Sequence, residues 1–514
     1  ASIIDGGTMT TIGLKTGLMA LALGVGGCGH LPAIPVPTPP AATVTPLAAA
    51  VTQTLDRRVD AVMQVYAPVG LSVAILRGDR LVYERHAGVE RLGGTTPANG
   101  DTLYSVFSMS KLFFLIEMIR AEARGELDFN APITTYVADL PGAWRGLTVR
   151  QLLSHVSGLP EYYSHPDVPP TVAAAFGRVR DADFISEPGS RSRYNQTNYL
   201  LAKLALEQVS GRAYADLVAN DQFAPLGLDR TRYGGHALAE AGTIVSYRPD
   251  AATGDLAPEI YPTYPPYVWS SVGLNTSLSD LTVWAGALVR GDLVPRRTLL
   301  DHWQPLPLSN GRPGAYADGW EYSDLGDFIT VGHGGGNRVN FMHGFRKSDP
   351  SDTVTVIYLD NGGPREIPTR RITTVLADAL IPGFASPTQL LFEDLVTDHA
   401  AQGWPAALAR LDAHIADRSL SPAEAEGLLN TVGYTLSATF GPEAALDAFR
   451  LNVARHPRSA NPHDSLAETL LTLGDRAGAL QHYRHALALN PDDTRVAALV
   501  AGLERQASAG DDQT

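Results

Sequence analysis

The sequence predicts an α+β fold in which an antiparallel β-sheet is flanked by helices, followed by a purely helical C-terminal region. Runs of β-branched and aromatic residues occur near both ends of residues 51–385, with helical spacing between and around them. From about Ser386 the chain is instead rich in Ala and Leu at helical spacing. The 514 residues also exceed the roughly 250 to 300 residues at which single cores stop growing. We therefore expect at least two domains, residues 51–385 and 386–514.

The elements of the first domain follow in order along the chain. A helix over residues 52–66 opens the domain, and a helix over residues 370–380 closes it. The strand-like patterns occupy residues 70–76, 81–87, 328–332, 341–347 and 353–359. Residues 77–80 (RGDR) indicate a tight turn that joins the first two strands as a hairpin. A hairpin near the start and three strands near the end of one domain favour an antiparallel sheet.

The first fifty residues have the pattern of a secretion signal. We interpret residues 1–8 as a vector or upstream remnant and residues 9–28 as a signal peptide, because its apolar stretch is too short to span a bilayer. Residues 25–28 (VGGC) resemble a bacterial lipoprotein cleavage box, which predicts lipidation of Cys28; the alternative is a plain secretory signal. Residues 29–50 are proline-rich and predict an extended linker. We expect secretion to the bacterial periplasm, with this lipid as the membrane anchor.

Composition excludes several classes of function. The net charge of -14 opposes nucleic-acid binding, which usually rests on Lys and Arg contacts to phosphates. A single cysteine excludes an intramolecular disulfide and any multi-cysteine metal site. The histidines lack metal-ligand spacing on a shared face, so we predict no metal and no cofactor.

The C-terminal region contains an internal repeat. Five residues recur with a displacement of 34 positions: Ala445, Leu446, Phe449, Ala454 and Pro457 reappear as Ala479, Leu480, Tyr483, Ala488 and Pro491. This period resembles that of tetratricopeptide repeats. The resemblance implies a docking surface for a peptide or protein partner; the alternative is that these helices only pack on the first domain.

One motif predicts nucleophilic chemistry. Ser108 and Lys111 stand three residues apart at the start of an apolar helix that ends near Gly125, so that their side chains share one helical face. A serine hydroxyl is a weak nucleophile unless a neighbouring base takes its proton, and a lysine can do so when burial lowers its pKa. Taken alone, the motif also fits a helix cap followed by a surface lysine.

Four segments together resemble the family of class C β-lactamases and DD-peptidases, which also contains carboxylesterases and D-amino-acid peptidases. The resemblance spans roughly residues 55–380. The four segments are residues 107–111 (FSMSK), 147–160 (LTVRQLLSHVSGLP), 194–199 (YNQTNY) and 332–336 (GHGGG).

The resemblance implies a β-lactamase/transpeptidase-like fold, with an all-helical domain beside the sheet, and a role for each matched residue. Ser108 would be acylated, and Lys111 and Tyr194 would handle its proton. His333, Gly334 and Gly335 would close the other side of the pocket on a strand. The oxyanion hole would be formed by the backbone N–H groups of Ser108 and Gly336.

Two departures from the family pattern bear on the substrate. The third position of the usual Tyr-x-Asn is occupied by Gln196, unless Asn195 takes that role in a shifted alignment. We prefer Gln196 as the substrate-binding residue, because the following Thr-x-Tyr-x-Leu pattern then keeps its register. His333 stands where a lysine is common, and a neutral imidazole anchors a carboxylate more weakly. We expect a serine hydrolase that acts on small esters or D-aminoacyl peptides, with weak β-lactamase activity at most.

Two other interpretations compete with this assignment. His155 suggests a Ser-His-Asp triad, but no Gly-x-Ser-x-Gly elbow accompanies it, so we interpret His155 as a structural hydrogen-bonding residue. The second alternative is a weak or inactive scaffold that binds envelope partners through its helical tail. Six aromatic residues in loop-like stretches line an acyl pocket or pack in the core: Tyr162, Tyr163, Tyr261, Tyr264, Tyr267 and Trp269.

Overall fold

A computed structural model describes most of the chain after the N-terminal segment. The described residues are 46–164, 167–234, 244–250, 252–259, 263–417 and 420–511, with side chains up to residue 506. The predicted signal peptide, Cys28 and most of the predicted linker therefore lie outside the described residues. In the part of the chain that is described, no helix has the length and apolar character needed to cross a membrane.

The secondary structure alternates as predicted between helices and strands, and then becomes entirely helical. The α-helices are α1 Ala49–Tyr66, α2 Ser110–Ala123, α3 Val149–Leu153, α4 Val172–Val179, α5 Gln196–Ser210, α6 Tyr214–Val218, α7 Ala224–Leu226, α8 Leu278–Arg290, α9 Arg296–His302, α10 Thr369–Leu380, α11 Pro387–Gln402, α12 Trp404–Ala416, α13 Pro422–Phe440, α14 Pro442–Arg455, α15 Ala460–Thr472, α16 Arg476–Leu489 and α17 Thr494–Asp511. The strands are β1 Gly70–Arg77, β2 Arg80–Gly88, β3 Leu103–Ser105, β4 Arg232–Tyr233, β5 Tyr247–Pro249, β6 Leu256–Pro258, β7 Leu274–Ser277, β8 Tyr316–Ala317, β9 Trp320–Leu325, β10 Phe328–Gly335, β11 Val339–Arg346 and β12 Thr353–Asp360. Every predicted helix and strand of the first domain is present, with ends shifted by a few residues.

The main sheet has seven strands in the order β2-β1-β12-β11-β10-β9-β8, and its neighbouring strands are antiparallel. The N-terminal hairpin therefore joins the three late strands, with β1 beside β12. All eight residues of β12 are buried, because helices cover both faces of the sheet. On one face lie α1 and α10, and on the other lies α8. The predicted α+β class is confirmed.

The helix that follows the Ser-x-x-Lys motif is the core of the helical part. Residues Ser110 to Ile119 of α2 are all buried, and a helix that is apolar all round belongs in the interior. It contacts α5 and α6 on its helical side and β10 on the sheet side. The start of α2 therefore lies at the junction between the helices and the sheet.

The C-terminal helices divide between two hydrophobic clusters. Leu391 and Leu395 of α11 belong to the same core as Val59 of α1 and Leu376 of α10. A second cluster is formed by α14 to α17 and includes the 34-residue pair Phe449 and Tyr483. Helix α11 thus packs on the first domain, whereas the tetratricopeptide character of the repeat helices, and the alternative that they only pack on this domain, stay predictions.

Candidate active site

Ser108 lies in a tight turn between β3 and α2. The turn is a short 3-10 helix, Phe107–Met109, which leads directly into α2. Phe107 has a positive φ of 47°, a conformation that costs free energy for a bulky residue and is concentrated at functional sites. This backbone shape presents Ser108 at the start of the buried helix, where its side chain lines a cleft.

The end of β10 packs tightly against this turn because Gly335 has no side chain. A Cβ atom at Gly335 would lie 2.3 Å from the Val106 carbonyl oxygen and 2.8 Å from a methyl group of Val339. Only glycine permits such an approach of two backbones. Gly336 follows with a φ of 55° and lines the cleft together with Ser108.

Lys111 lies in the interior beneath Ser108, with no solvent exposure. Its Nζ donates hydrogen bonds of 3.0 Å to Gln196 Oε1 and of 3.0 Å to the Ser271 carbonyl oxygen. It also lies 4.8 Å from the ring centroids of both Tyr194 and Tyr199. Desolvation lowers the pKa of Lys111 well below its ordinary value, although Glu161 and Glu321 act in the opposite direction. Burial therefore favours the neutral amine, the form that can accept a proton.

Tyr194 is the aromatic residue beside the nucleophile. Desolvation raises the pKa of Tyr194, and hydrogen bonds with Ser108 and Gln196 act in the opposite direction. Tyr194 precedes α5, whose N-cap is Asn195: the Asn195 side chain accepts a hydrogen bond from Asn198 N–H. Asn195 is 1% exposed and is occupied by this cap. The side-chain amide that contacts Lys111 is that of Gln196.

The ring of His155 packs against that of Tyr194 in the interior. It is 1% exposed, its ring centroid lies 4.6 Å from that of Tyr194, and its Nδ1 accepts a hydrogen bond of 3.1 Å from Asn195 N–H. Burial lowers the pKa of His155 well below its ordinary value. The ring is thus a neutral hydrogen-bonding residue of the interior.

His333 lies on β10 opposite Phe341 of β11. It is 2% exposed, and its Nδ1 lies 2.6 Å from the Gly334 carbonyl oxygen and 3.6 Å from Glu321 Oε1. Desolvation lowers the pKa of His333 to about 4, despite the opposing charge of Glu321. The imidazole is therefore neutral at physiological pH, and it differs in charge from the lysine that is common at this position.

The cleft extends to two sides of Ser108. The His333 side has a volume of about 550 Å³, and its lining includes Tyr194, His333, Gly334, Gly335, Gly336, Glu321, Glu366 and Arg370. The Gln196 side has a volume of about 330 Å³, and its lining includes Gln196, Phe107, Tyr163, Tyr264, Val272 and Glu259. Ser108 and Gly336 line both sides. The structure thus brings the residues singled out from the sequence together at one cleft, with Lys111 buried beneath it.

Several residues of the site carry no sequence signal. Ser271 contributes only its backbone carbonyl oxygen, and Glu321 and Arg370 are brought to the cleft by β9 and α10. Of the six loop aromatics, Tyr163 and Tyr264 line the Gln196 side, whereas Tyr162 and Tyr267 are buried in the interior. The ring of Trp269 stacks on that of Tyr233, and Tyr261 lies outside the described residues. Among the described side chains, no group of three or more His, Cys, Asp or Glu is arranged to hold a metal ion.

The chain matches a known protein family and is similar to several characterised proteins. The family model described as Beta-lactamase matches residues 55–380. The chain is 24% identical over 266 residues to penicillin-binding protein 4* of Bacillus subtilis, an alignment that covers 48% of this chain and 58% of that protein. It is 25% identical over 321 residues to the D-aminopeptidase of Cereibacter sphaeroides, with 59% of each chain covered. The chain thus spans about three-fifths of the length of these curated relatives.

Two solved structures share the fold. The octameric penicillin-binding protein homologue from Pyrococcus abyssi is 21% identical with a TM-score of 0.57, and the match covers 67% of this chain and 81% of that one. The D-amino acid amidase from Ochrobactrum anthropi SV3 is 20% identical with a TM-score of 0.51, and the match covers 65% of this chain and 97% of that one.

Proposed function

Because the chain belongs to the beta-lactamase family, we propose that it hydrolyses carboxylic esters or D-aminoacyl amides through an acyl-enzyme formed on Ser108. The relatives of this chain include a D-aminopeptidase.

The observation that carries the proposal is the arrangement of Lys111, Gln196 and Tyr194: Lys111 Nζ lies 3.0 Å from Gln196 Oε1 and 4.8 Å from the ring centroid of Tyr194. Burial lowers the pKa of Lys111, whereas desolvation raises that of Tyr194. At neutral pH this combination favours an uncharged amine and an uncharged phenol, with Gln196 in hydrogen-bond contact with both residues. A neutral buried amine is a base, and a phenol that hydrogen-bonds the nucleophile can pass protons between them.

The reaction then follows in two steps, acylation and deacylation of Ser108. Ser108 Oγ attacks the carbonyl carbon and its proton passes to the Lys111 and Tyr194 pair, while backbone N–H groups of Ser108 and Gly336 stabilise the oxyanion. The same proton is delivered to the leaving alcohol or amine as its bond to the carbonyl carbon breaks. In the second step water attacks the acyl-enzyme and loses its proton to the same pair. The pair returns this proton to Ser108 Oγ as the ester bond breaks, which releases the acid and restores the free enzyme.

The two sides of the cleft suggest how the substrate is divided. By family analogy the Gln196 side takes the acyl part, and its rings of Phe107, Tyr163 and Tyr264 suit an apolar group. The His333 side then takes the leaving group. Because His333 is neutral, its position offers no charge to attract the carboxylate of a β-lactam. The two arginines on this side are paired, Arg370 with Glu321 and Arg371 with Glu393. Esters and D-aminoacyl amides are therefore favoured over penicillins.

Turnover of matched substrates tests this proposal. Wild type and Ser108→Ala are assayed with p-nitrophenyl butyrate, the p-nitroanilides of D-alanine and L-alanine, and benzylpenicillin. We expect wild type to hydrolyse the ester or the D-anilide much faster than the L-anilide and the penicillin, and Ser108→Ala to hydrolyse none. Equal activity of the two proteins would contradict the role of Ser108. Efficient penicillin turnover would contradict the substrate class.

Attachment and partners stay predictions. Lipidation of Cys28, secretion to the periplasm and a protein partner for the helical tail were inferred from sequence patterns. The mass of the mature N-terminal peptide from a bacterial membrane fraction tests the first two: a lipid-sized increment on Cys28 is expected, and an unmodified cysteine would refute the anchor.

A further inference from the structure

One wall of the His333 side of the cleft contacts a helix of the C-terminal region. Residues 366–371 line this side of the cleft, and α10 begins within that segment at Thr369. The match to the family ends at residue 380, whereas α11, Pro387–Gln402, lies beyond it. The contacts between α10 and α11 thus join the family domain to a part of the chain that the family match does not include.

Arg371 is the residue through which this connection runs. Its guanidinium carbon lies 4.5 Å from the ring centroid of Phe392, and its Nε pairs with the Glu393 carboxylate. Its Nη2 donates a hydrogen bond of 3.1 Å to the Tyr66 hydroxyl. Phe392 and Glu393 are buried residues of α11, so this helix fixes the guanidinium on two of its sides.

The pair between Arg371 and Glu393 is partly buried, because the Glu393 side chain is 8% exposed and the Arg371 side chain 25%. Desolvation raises the pKa of Glu393, and the charges of Arg371 and Arg58 act against that rise. A buried carboxylate is tolerated when it is paired, and removal of one partner leaves the other charge uncompensated. A surface ion pair, by contrast, contributes little and exchanges freely. The first turn of α10 is therefore anchored to α11.

Arg370, the residue before Arg371, connects the first turn of α10 to the cleft. The Arg370 side chain is 68% exposed and pairs with Glu321. Glu321 in turn accepts a hydrogen bond of 3.2 Å from Gly334 N–H and lies 3.6 Å from His333 Nδ1. A shift of the first turn of α10 would move Arg370 and, through Glu321, the contacts of the strand that carries His333.

We propose that Phe392 and Glu393 are positioning residues for the His333 side of the cleft, so that the C-terminal region sets the preference for the leaving group. The proposal rests on the assignment of the leaving group to this side. It predicts an effect on KM rather than on kcat, because Ser108 and Lys111 are held by α2 and its preceding turn and not by α10.

The kinetic test compares two neighbouring acidic residues of α11 in the full chain. Glu393→Gln removes the charge behind the cleft, and Asp394→Asn removes a charge that pairs with Arg58 and Arg410, neither of which lines the cleft. Acetate esters of increasingly large phenols vary the leaving group, and p-nitrophenyl esters of increasing chain length vary the acyl group.

We expect Glu393→Gln to raise KM at least about fivefold for the larger phenols, with kcat changed less than about twofold and the acyl preference unaltered. Asp394→Asn should follow wild type in both series. A uniform loss in both series, or the same loss in both variants, would reduce Glu393 to a contributor to stability and overturn the proposal. Phe392→Leu, which keeps an apolar side chain, serves as a second variant and should shift the phenol series in the same direction.

Amide hydrogen exchange gives a readout that does not depend on turnover. Exchange of residues 366–373 should be at least about tenfold faster in Glu393→Gln than in wild type, and unchanged in Asp394→Asn. Unchanged exchange in Glu393→Gln would overturn the positioning role. If wild type shows neither turnover nor labelling of Ser108, the proposed function fails, and the exchange experiment still decides whether α11 positions the wall.

Discussion

We expect the stability of this protein to fall as pH rises through the alkaline range, because His302 lies in a buried network with two carboxylates. His302 is 7% exposed, and its ring nitrogens lie 2.8 Å from Asp318 Oδ2 and 3.1 Å from Glu122 Oε2. Burial alone would lower the pKa of His302, but its hydrogen bonds with the two carboxylates raise it to about 9. The network joins α2 and α9 to the turn between β8 and β9. Asp318 in this turn follows Tyr316 by two residues, and Tyr316 also lines the His333 side of the cleft.

The size and sign of the effect follow from linkage. A rise from 6.5 to about 9 corresponds to about 3 kcal/mol at about 1.4 kcal/mol per pH unit. Because the folded-state pKa is raised, this stability is fully present below the unfolded pKa of 6.5 and is lost as pH rises through about 9. His302→Gln removes the proton-binding group, so the variant should lack this part of the pH dependence.

Urea unfolding followed by circular dichroism between about pH 6 and about pH 10 tests the prediction. The difference in unfolding free energy between wild type and His302→Gln should shrink by about 3 kcal/mol across this range. His343→Gln is the matched control, because burial lowers the pKa of His343 to about 3 and this residue stays neutral throughout. A wild-type advantage over His302→Gln that is constant with pH would refute the reasoning.

Three further predictions concern the cleft. Lys111→Arg replaces the neutral amine with a guanidinium that stays protonated and cannot accept the Ser108 proton, so acylation of Ser108 by a fluorophosphonate should slow by about 10² to 10⁴; a change of less than about threefold would contradict the role of Lys111. Gly335→Ala should lower kcat about 100-fold, because its Cβ would press on the Val106 carbonyl oxygen and displace the turn of Ser108. Gly177→Ala, where a Cβ meets nothing within 4 Å, should show no loss, and equal kcat values in the two glycine variants would refute the packing argument. His333→Lys should raise the rate of penicillin acylation relative to ester turnover at least about tenfold, and an unchanged ratio would show that charge at this position does not select the substrate.

Sequence patterns predicted most of the main sheet and indicated several residues that lie at the cleft. Five of the seven strands of the main sheet were predictable because their β-branched runs are short and bounded by turns, as in the hairpin of β1 and β2. The other two, β8 and β9, were not predicted. Ser108, Lys111 and Tyr194 were singled out because they lie in two short segments that resemble motifs of the family. The preference for Gln196 over Asn195 came from the register of the following Thr-x-Tyr-x-Leu pattern. In the structure Asn195 caps α5, whereas Gln196 reaches Lys111.

Contacts between distant segments could not be predicted in the same way. Glu321 and Arg370 come together only through the register of β9 with β10 and the placement of α10. The sequence also indicated a change of character near Ser386, and the secondary structure does become helical there. The hydrophobic core nevertheless continues across this position, because Phe384 stacks on Phe328 with ring centroids 4.1 Å apart and α11 packs on α1.

The most direct test of the central claim is the mass of the intact protein after reaction with a fluorophosphonate, followed by peptide mapping. The matched control is Ser110→Ala, since Ser110 lies in the same motif but is buried and bonded to the Phe107 carbonyl oxygen and to Leu274 N–H. We expect a single adduct on Ser108 in wild type and in Ser110→Ala, and no adduct in Ser108→Ala. An adduct that persists in Ser108→Ala, or its absence from wild type, would contradict the assignment of Ser108 as the nucleophile.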